Sequence, residues 1–82
     1  MNKKKVLSKI KKGTLFLKDA DDKLKADEEV VLESVKFNGL YLKFADEKLK
    51  ANKKIVLAAV KQNGMSIYFA SNELKADKEI GL

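Results

Sequence analysis

Residues 40–64 read LYLKFADEKLKANKKIVLAAVKQNG, and residues 15–39 read LFLKDADDKLKADEEVVLESVKFNG. Set one over the other, they agree at 15 of 25 positions, which marks a tandem repeat. The same step of 25 residues links Ala20, Ala45 and Ala70, then Leu24, Leu49 and Leu74, then Leu17, Leu42 and Ile67, then Asp27, Asn52 and Asp77. It also runs backward, where Val6, Leu7, Ile10 and Lys11 stand for Val31, Leu32, Val35 and Lys36. The repeat fills a single domain over 1–82. Residues 1–14 form an N-terminal capping helix, 15–39 repeat 1, 40–64 repeat 2 and 65–82 a truncated repeat 3. No linker or Pro/Gly-rich stretch divides it.

Each unit reads as two short helices. Asp27, Asn52 and Asp77 are N-cap residue types set before the apolar runs that begin at Val30, Ile55 and Ile80. Asn38-Gly39 and Asn63-Gly64 are expected to end the first helix, with Gly in the left-handed conformation favoured at a C-terminal cap. A second helix is expected from about Leu40 to Lys50, after which Ala51-Asn52 turns the chain into the next unit.

The apolar arc is wide on both helices. Val30, Val31, Leu32, Ser34, Val35 and Phe37 cover more than half of the first, leaving Glu29, Glu33 and Lys36 as a polar stripe. Leu40, Tyr41, Leu42, Phe44, Ala45 and Leu49 do the same on the second, opposite Lys43, Asp46 and Lys50. A helix lying on one core needs a stripe only a little over ~100° wide. A wider arc implies contacts to the units before and after. The predicted fold is all-α, a small α-solenoid of short helix pairs with a 25-residue repeat.

The pattern Val31-Leu32…Val35-Lys36…Asn38-Gly39…Ala45…Leu49-Lys50…Asn52, repeated from Val56 to Asp77, resembles the helical repeats called domain of unknown function 4116. Those in turn look like relatives of the leucine-rich repeat variant. The resemblance covers essentially the whole chain, with Gly13-Thr14 in place of Asn-Gly at its start. It implies a fold and supplies no catalytic or binding residue.

Composition removes most chemistry. The 82 residues include no Cys, His, Trp or Pro, and all 18 basic residues are Lys. Thiolate or imidazole catalysis, disulfides and the usual zinc ligands are therefore absent. Ser8, Ser34, Ser66 and Ser71 have no histidine to activate them, and no Gly-rich phosphate loop is present. The acids Asp19, Asp21, Asp22, Asp27, Glu28 and Glu29 lack the spacing of a calcium loop. They read as helix caps and first-turn residues suited to a helix dipole. The expectation is a protein that is not an enzyme and uses no metal or cofactor. No apolar run approaches a membrane span and no signal-peptide core follows Met1, so the reading places the protein in the cytoplasm.

The net charge of +6 equals that of residues 1–13, which carry six Lys and no acid. Residues 14–38 are net −3, residues 39–63 net +4 and residues 64–82 net −1. Lys5, Lys9 and Lys12 occupy the positions of Val30, Ser34 and Phe37, while Val6, Leu7 and Ile10 keep the other side apolar. Polar replacement on the outward side is what the first unit of a stack requires, and Asp19 in place of Phe44 and Phe69 follows the same logic.

Two functions follow as expectations. One is a protein–protein interaction module whose apolar C-terminal end, Ile67, Ala70, Leu74, Ile80 and Leu82, contacts an unknown protein or a second copy in a homodimer. The alternative is binding of nucleic acid or another polyanion by Lys3, Lys4, Lys5, Lys9, Lys11 and Lys12. The absence of Arg, the usual bidentate reader of phosphate and guanine, weighs against the second.

Overall fold

Three long helices follow one another along the molecule: α1 (Lys3–Lys11), α3 (Glu28–Phe37) and α5 (Lys53–Gln62). Three one-turn helices, α2 (Asp22–Lys25), α4 (Glu47–Lys50) and α6 (Asn72–Lys75), alternate with them. Three 3-10 helices, η1 (Leu17–Asp19), η2 (Gly39–Phe44) and η3 (Gly64–Phe69), complete the set among the described residues. The computed structural model describes residues 3–13 and 17–80, and for Asp19 the backbone only. Among the described residues there is no strand.

The elements stack in chain order. Helix α1 packs on α3 and α3 on α5, while η1 packs on η2 and η2 on η3. Helix α5 also touches η2, so it lies in the groove between the long helix and the 3-10 helix of the unit before it. The product is elongated, about 38 × 20 × 16 Å. The chain is thus an all-helical repeat protein.

Burial follows the repeat. Val6, Ile10, Val30, Val31, Val35, Ile55, Val56 and Ala59 of the long helices are closed off, as are Leu17, Leu42 and Leu49 from the second half of each unit. Contact on two sides is why the apolar arcs had to be wide. Phe37 departs from its assigned arc: it is 47 % exposed and stacks on Tyr41, with ring centroids 6.5 Å apart.

The caps fall where the sequence puts them. Asp27 Oδ1 accepts from Val30 N at 3.1 Å, Asn52 Oδ1 from Ile55 N at 3.2 Å and Asp77 Oδ1 from Glu79 N at 2.9 Å. The first two satisfy a donor that a helix start leaves without a partner, and Asp77 caps the turn over residues 78–80.

The second half of the unit differs from the expected helix over Leu40–Lys50. It is η2, then a break, then the single turn α4. Ala45 is extended (φ −74°, ψ 156°), as is Asp46 (φ −59°, ψ 147°), whose carboxylate accepts from Lys48 N at 2.9 Å. The break is used between units: Asp46 N donates to Lys25 O and Ser71 N to Lys50 O, both at 3.0 Å. A continuous helix would direct those N–H groups into its own ladder and lose both bridges.

The helix ends also differ in mechanism from the expectation. Asn38 and Asn63 leave the helix in nearly the same extended conformation (φ −151° and −152°), and their side chains cap the following 3-10 helix through Leu40 N and Met65 N at 3.0 Å. Among the described residues, positive φ occurs at Gly13 (+75°) and not at Gly39 or Gly64. The left-handed ending is therefore at Gly13, the residue that departs from the Asn-Gly pattern.

Candidate functional site

Gly39 shows how one unit seats the next. A Cβ there would collide with the carbonyl oxygen of Ala59 and stand 2.7 Å from Ser66 Oγ. Gly39 N also donates to Gln62 Oε1 at 2.6 Å. Only Gly lets α5 approach this closely, so its constraint is steric. One unit further on, a Cβ at Gly64 would meet nothing within 4 Å.

The neighbours of Gly64 tell the same story. Val35, Leu42 and Leu49 are buried, but their equivalents Val60, Ile67 and Leu74 are only partly so. Met65 is 62 % exposed, whereas Leu40 at its position in the previous unit is half-buried. The groove between α5 and η3 is thus built like the groove between α3 and η2, and its far part is uncovered.

Of the residues expected at this end, Ile67 and Leu74 are half-buried. Ala70 (7 % exposed) and Ile80 (5 %) are instead closed off by this chain. Ile80 takes the place that Val30 and Ile55 hold in earlier units, as the first buried residue of a long helix. Leu82 lies outside the described residues. Sequence reading left out Val60, Gly64 and Met65; comparing each with the residue 25 positions earlier could have found them.

The first turns of the long helices carry the charge. Lys3 Nζ lies 3.2 Å from Asp27 and 2.9 Å from Glu29. Lys53 Nζ lies 3.3 Å from Asp77 and 3.0 Å from Glu79. The hydrogen bonds to Glu29 and Asp27 raise the pKa of Lys3, and those to Glu79 and Asp77 raise that of Lys53. Partial burial pushes the Asp27 carboxyl upward, but hydrogen bonds from the Val30 N–H and from Lys3 outweigh it and hold the group below its ordinary value. For Asp77 the Glu79 N–H is the largest cause of a pKa below the ordinary value, with Lys53 adding to it.

The lysines proposed for a polyanion, Lys3, Lys4, Lys5, Lys9, Lys11 and Lys12, are all exposed on or just after α1. Lys3 is engaged by the two acids. Lys4, Lys11 and Lys12 border a shallow hollow of about 430 Å³ floored by Leu7 and Ser8. A second hollow of about 640 Å³ separates the first turns of α3 and α5 and is lined by Lys3, Asp27, Glu28, Glu29, Glu33 and Lys54 among others. Asp21 and Asp27 act as caps, and Asp22, Glu28 and Glu29 sit in first turns. Among the described residues no three His, Cys, Asp or Glu side chains are grouped to hold a metal. Nor is any described helix long and apolar enough to cross a membrane.

Stacked helical units with a sterically gated seat between them define the chain as a helical-repeat protein. The family model "Domain of unknown function (DUF4116)" matches it over residues 2–50 and again over residues 27–75, and the chain belongs to that family. The two matches are offset by 25 residues at both ends, the period of the repeat. No curated protein and no solved structure matches the chain.

Proposed function

We propose that the chain is a non-catalytic protein–protein interaction module whose contact surface is the uncovered part of the α5–η3 groove. The observation that carries this reading is the contrast between Gly39, closed against the next unit, and Gly64, with open space above it. Met65, the next residue, is 62 % exposed, and Val60, Ile67 and Leu74 are only partly buried. A contiguous apolar patch beside a shaped groove is typical of an interaction site.

The test compares capture of proteins by wild type and by Leu74→Glu, with light scattering on both at micromolar concentration. The reading expects a protein, or a second copy, that wild type retains and Leu74→Glu loses while still folded by circular dichroism. Identical capture and identical mass for the two overturn it. Binding of nucleic acid through α1 would appear instead as retention that Leu74→Glu leaves intact and that weakens steeply between about 50 and 200 mM salt.

A further inference from the structure

The outward face of α1 carries a charge that its place in the stack does not require. Lys4, Ser8, Lys11 and Lys12 follow one another at i, i+4, i+7 and i+8, so they share one side of the helix. All four are exposed, whereas Val6 and Ile10, turned away from them, are buried. The three lysines border the hollow of about 430 Å³ above half-buried Leu7, and among the described residues no carboxylate lines it. Lys3, Lys5 and Lys9 have partners within the chain and are not part of this site.

The first helix of a stack needs polarity on this face, not one sign of charge. Helix α3 meets the same need with acids. Glu29 and Glu33 stand where α1 has Lys4 and Ser8, and Lys36, the counterpart of Lys11, lies 3.9 Å from Glu33. Helix α5 has Lys54 at the place of Lys4, but that lysine borders a hollow also lined by Glu28, Glu29 and Glu33. On α1 an anion entering the hollow meets positive charge alone.

The side chains also select among anionic partners. A protein interface has an apolar core and is depleted in lysine, whereas Leu7 is the sole apolar residue among the described ones lining this hollow. An anionic membrane takes an amphipathic helix by its apolar face, and that face of α1, Val6 and Ile10, is turned into the core. Nucleic-acid interfaces are more polar and much more positive. Lysine meets a phosphate as a point charge, without the planar fork that reads guanine, so a face of lysines without Arg binds backbone and reads no base. Ser8 adds a hydroxyl of the kind that donates to phosphate oxygens. Lys4 and Lys11 are separated by about 10.5 Å along the helix axis, which spreads the cations over several phosphates of a strand.

We propose that the outward face of α1 binds the phosphate backbone of nucleic acid without regard to sequence, Lys4, Lys11 and Lys12 each neutralising one phosphate. The site is separate from the α5–η3 groove, because α3 packs on both α1 and α5 and stands between them. It holds whether or not that groove takes a protein.

The test is fluorescence anisotropy of a labelled DNA duplex of about 20 base pairs, titrated with the 82-residue protein between about 50 and 200 mM salt. Three lysine contacts give a slope of log K against log salt of about −2.7, at about −0.9 per phosphate. Lys4→Gln/Lys11→Gln/Lys12→Gln should weaken binding at least tenfold at about 50 mM salt and remove most of that slope. Lys48→Gln/Lys61→Gln/Lys75→Gln lowers the net charge equally from exposed positions elsewhere and should change affinity less than about threefold. Both variants should keep the circular dichroism of wild type, since all six side chains are exposed. Two duplexes of unrelated sequence should bind within about threefold of one another. A duplex that stays unbound at about 50 mM salt, equal losses in the two triple variants, or a preference above about tenfold between sequences overturns the proposal. Displacement of the duplex by polyglutamate at equal charge also overturns it, by assigning the face to an acidic protein. So does tighter binding to phosphatidylserine vesicles than to the duplex, which assigns the face to a membrane.

Discussion

Gly39 and Gly64 occupy the same place in successive units, and replacing each by Ala should have opposite consequences. At Gly39 the new Cβ meets the Ala59 carbonyl and Ser66 Oγ, both held by the packing of α5 and η3 on η2. Overpacking of this kind costs about 1–3 kcal/mol. Any retreat of α5 also stretches the hydrogen bond from Gly39 N to Gln62 Oε1, worth about 1 kcal/mol. The sum is about 2–4 kcal/mol. For a domain of this length each kcal/mol moves Tm by roughly 4–8 °C, so Gly39→Ala should lower Tm by roughly 10–25 °C. Gly64→Ala meets no atom within 4 Å and has no positive φ to violate. It should leave stability unchanged or raise it by about 0.4–1 kcal/mol, because Ala restricts the unfolded chain. Thermal melts followed by circular dichroism at 222 nm, on both variants under one buffer, read the difference directly. Equal shifts would show that the units do not approach as described.

Three further perturbations separate core, surface and charge. Leu49→Ala removes a buried side chain from the central unit and should destabilise by about 2–5 kcal/mol, whereas Lys43→Ala on the exposed side should stay within about 0.5 kcal/mol in urea melts. Ser66 is fully buried with no hydrogen-bond partner for its hydroxyl among the described residues, so Ser66→Ala should be neutral or stabilising by about 1 kcal/mol; a clear loss would mean that the hydroxyl is satisfied. The Asp27 and Asp77 carboxyls titrate below 3.8, so their contribution is complete above the unfolded-state value and is lost as pH falls through the folded-state value. Tm should therefore drop between about pH 5 and about pH 2, and by less in the Asp27→Asn/Asp77→Asn variant. Lys3 and Lys53 titrate above 10.5, so what they add is complete below that value and is lost only as pH rises through their folded-state pKa.

The features legible in the sequence are those that repeat or act locally. The 25-residue period, the caps at Asp27, Asn52 and Asp77, and the buried faces of α3 and α5 all depend on residues within one turn of each other or on identity between units. The break at Ala45-Asp46 escaped because it is decided by a partner about twenty residues earlier in the chain, the carbonyl of Lys25. At Gly39 the Asn-Gly pair suggests a local role, the left-handed ending, whereas the residue's role is to admit α5 from the next unit. Phe37 falls on an apolar arc that the helix does present, but it stacks on Tyr41 with about half of it at the surface. The pairing of Lys3 with Asp27 and Glu29 did leave a trace, because the same residue types recur 50 positions later at Lys53, Asp77 and Glu79. The end surface was only half legible: Ile67 and Leu74 are partly exposed, whereas Ala70 and Ile80 are buried within this chain.

Amide hydrogen exchange at the two glycines tests the stacking and the open groove together. Gly39 is buried under α5 with its N–H bonded to Gln62, and Gly64 is exposed. Measured by NMR in one sample, the Gly39 amide should exchange at least ~100-fold more slowly than that of Gly64 once sequence-dependent intrinsic rates are divided out. Equal protection at the two glycines would contradict a closed seat at one and an open seat at the other.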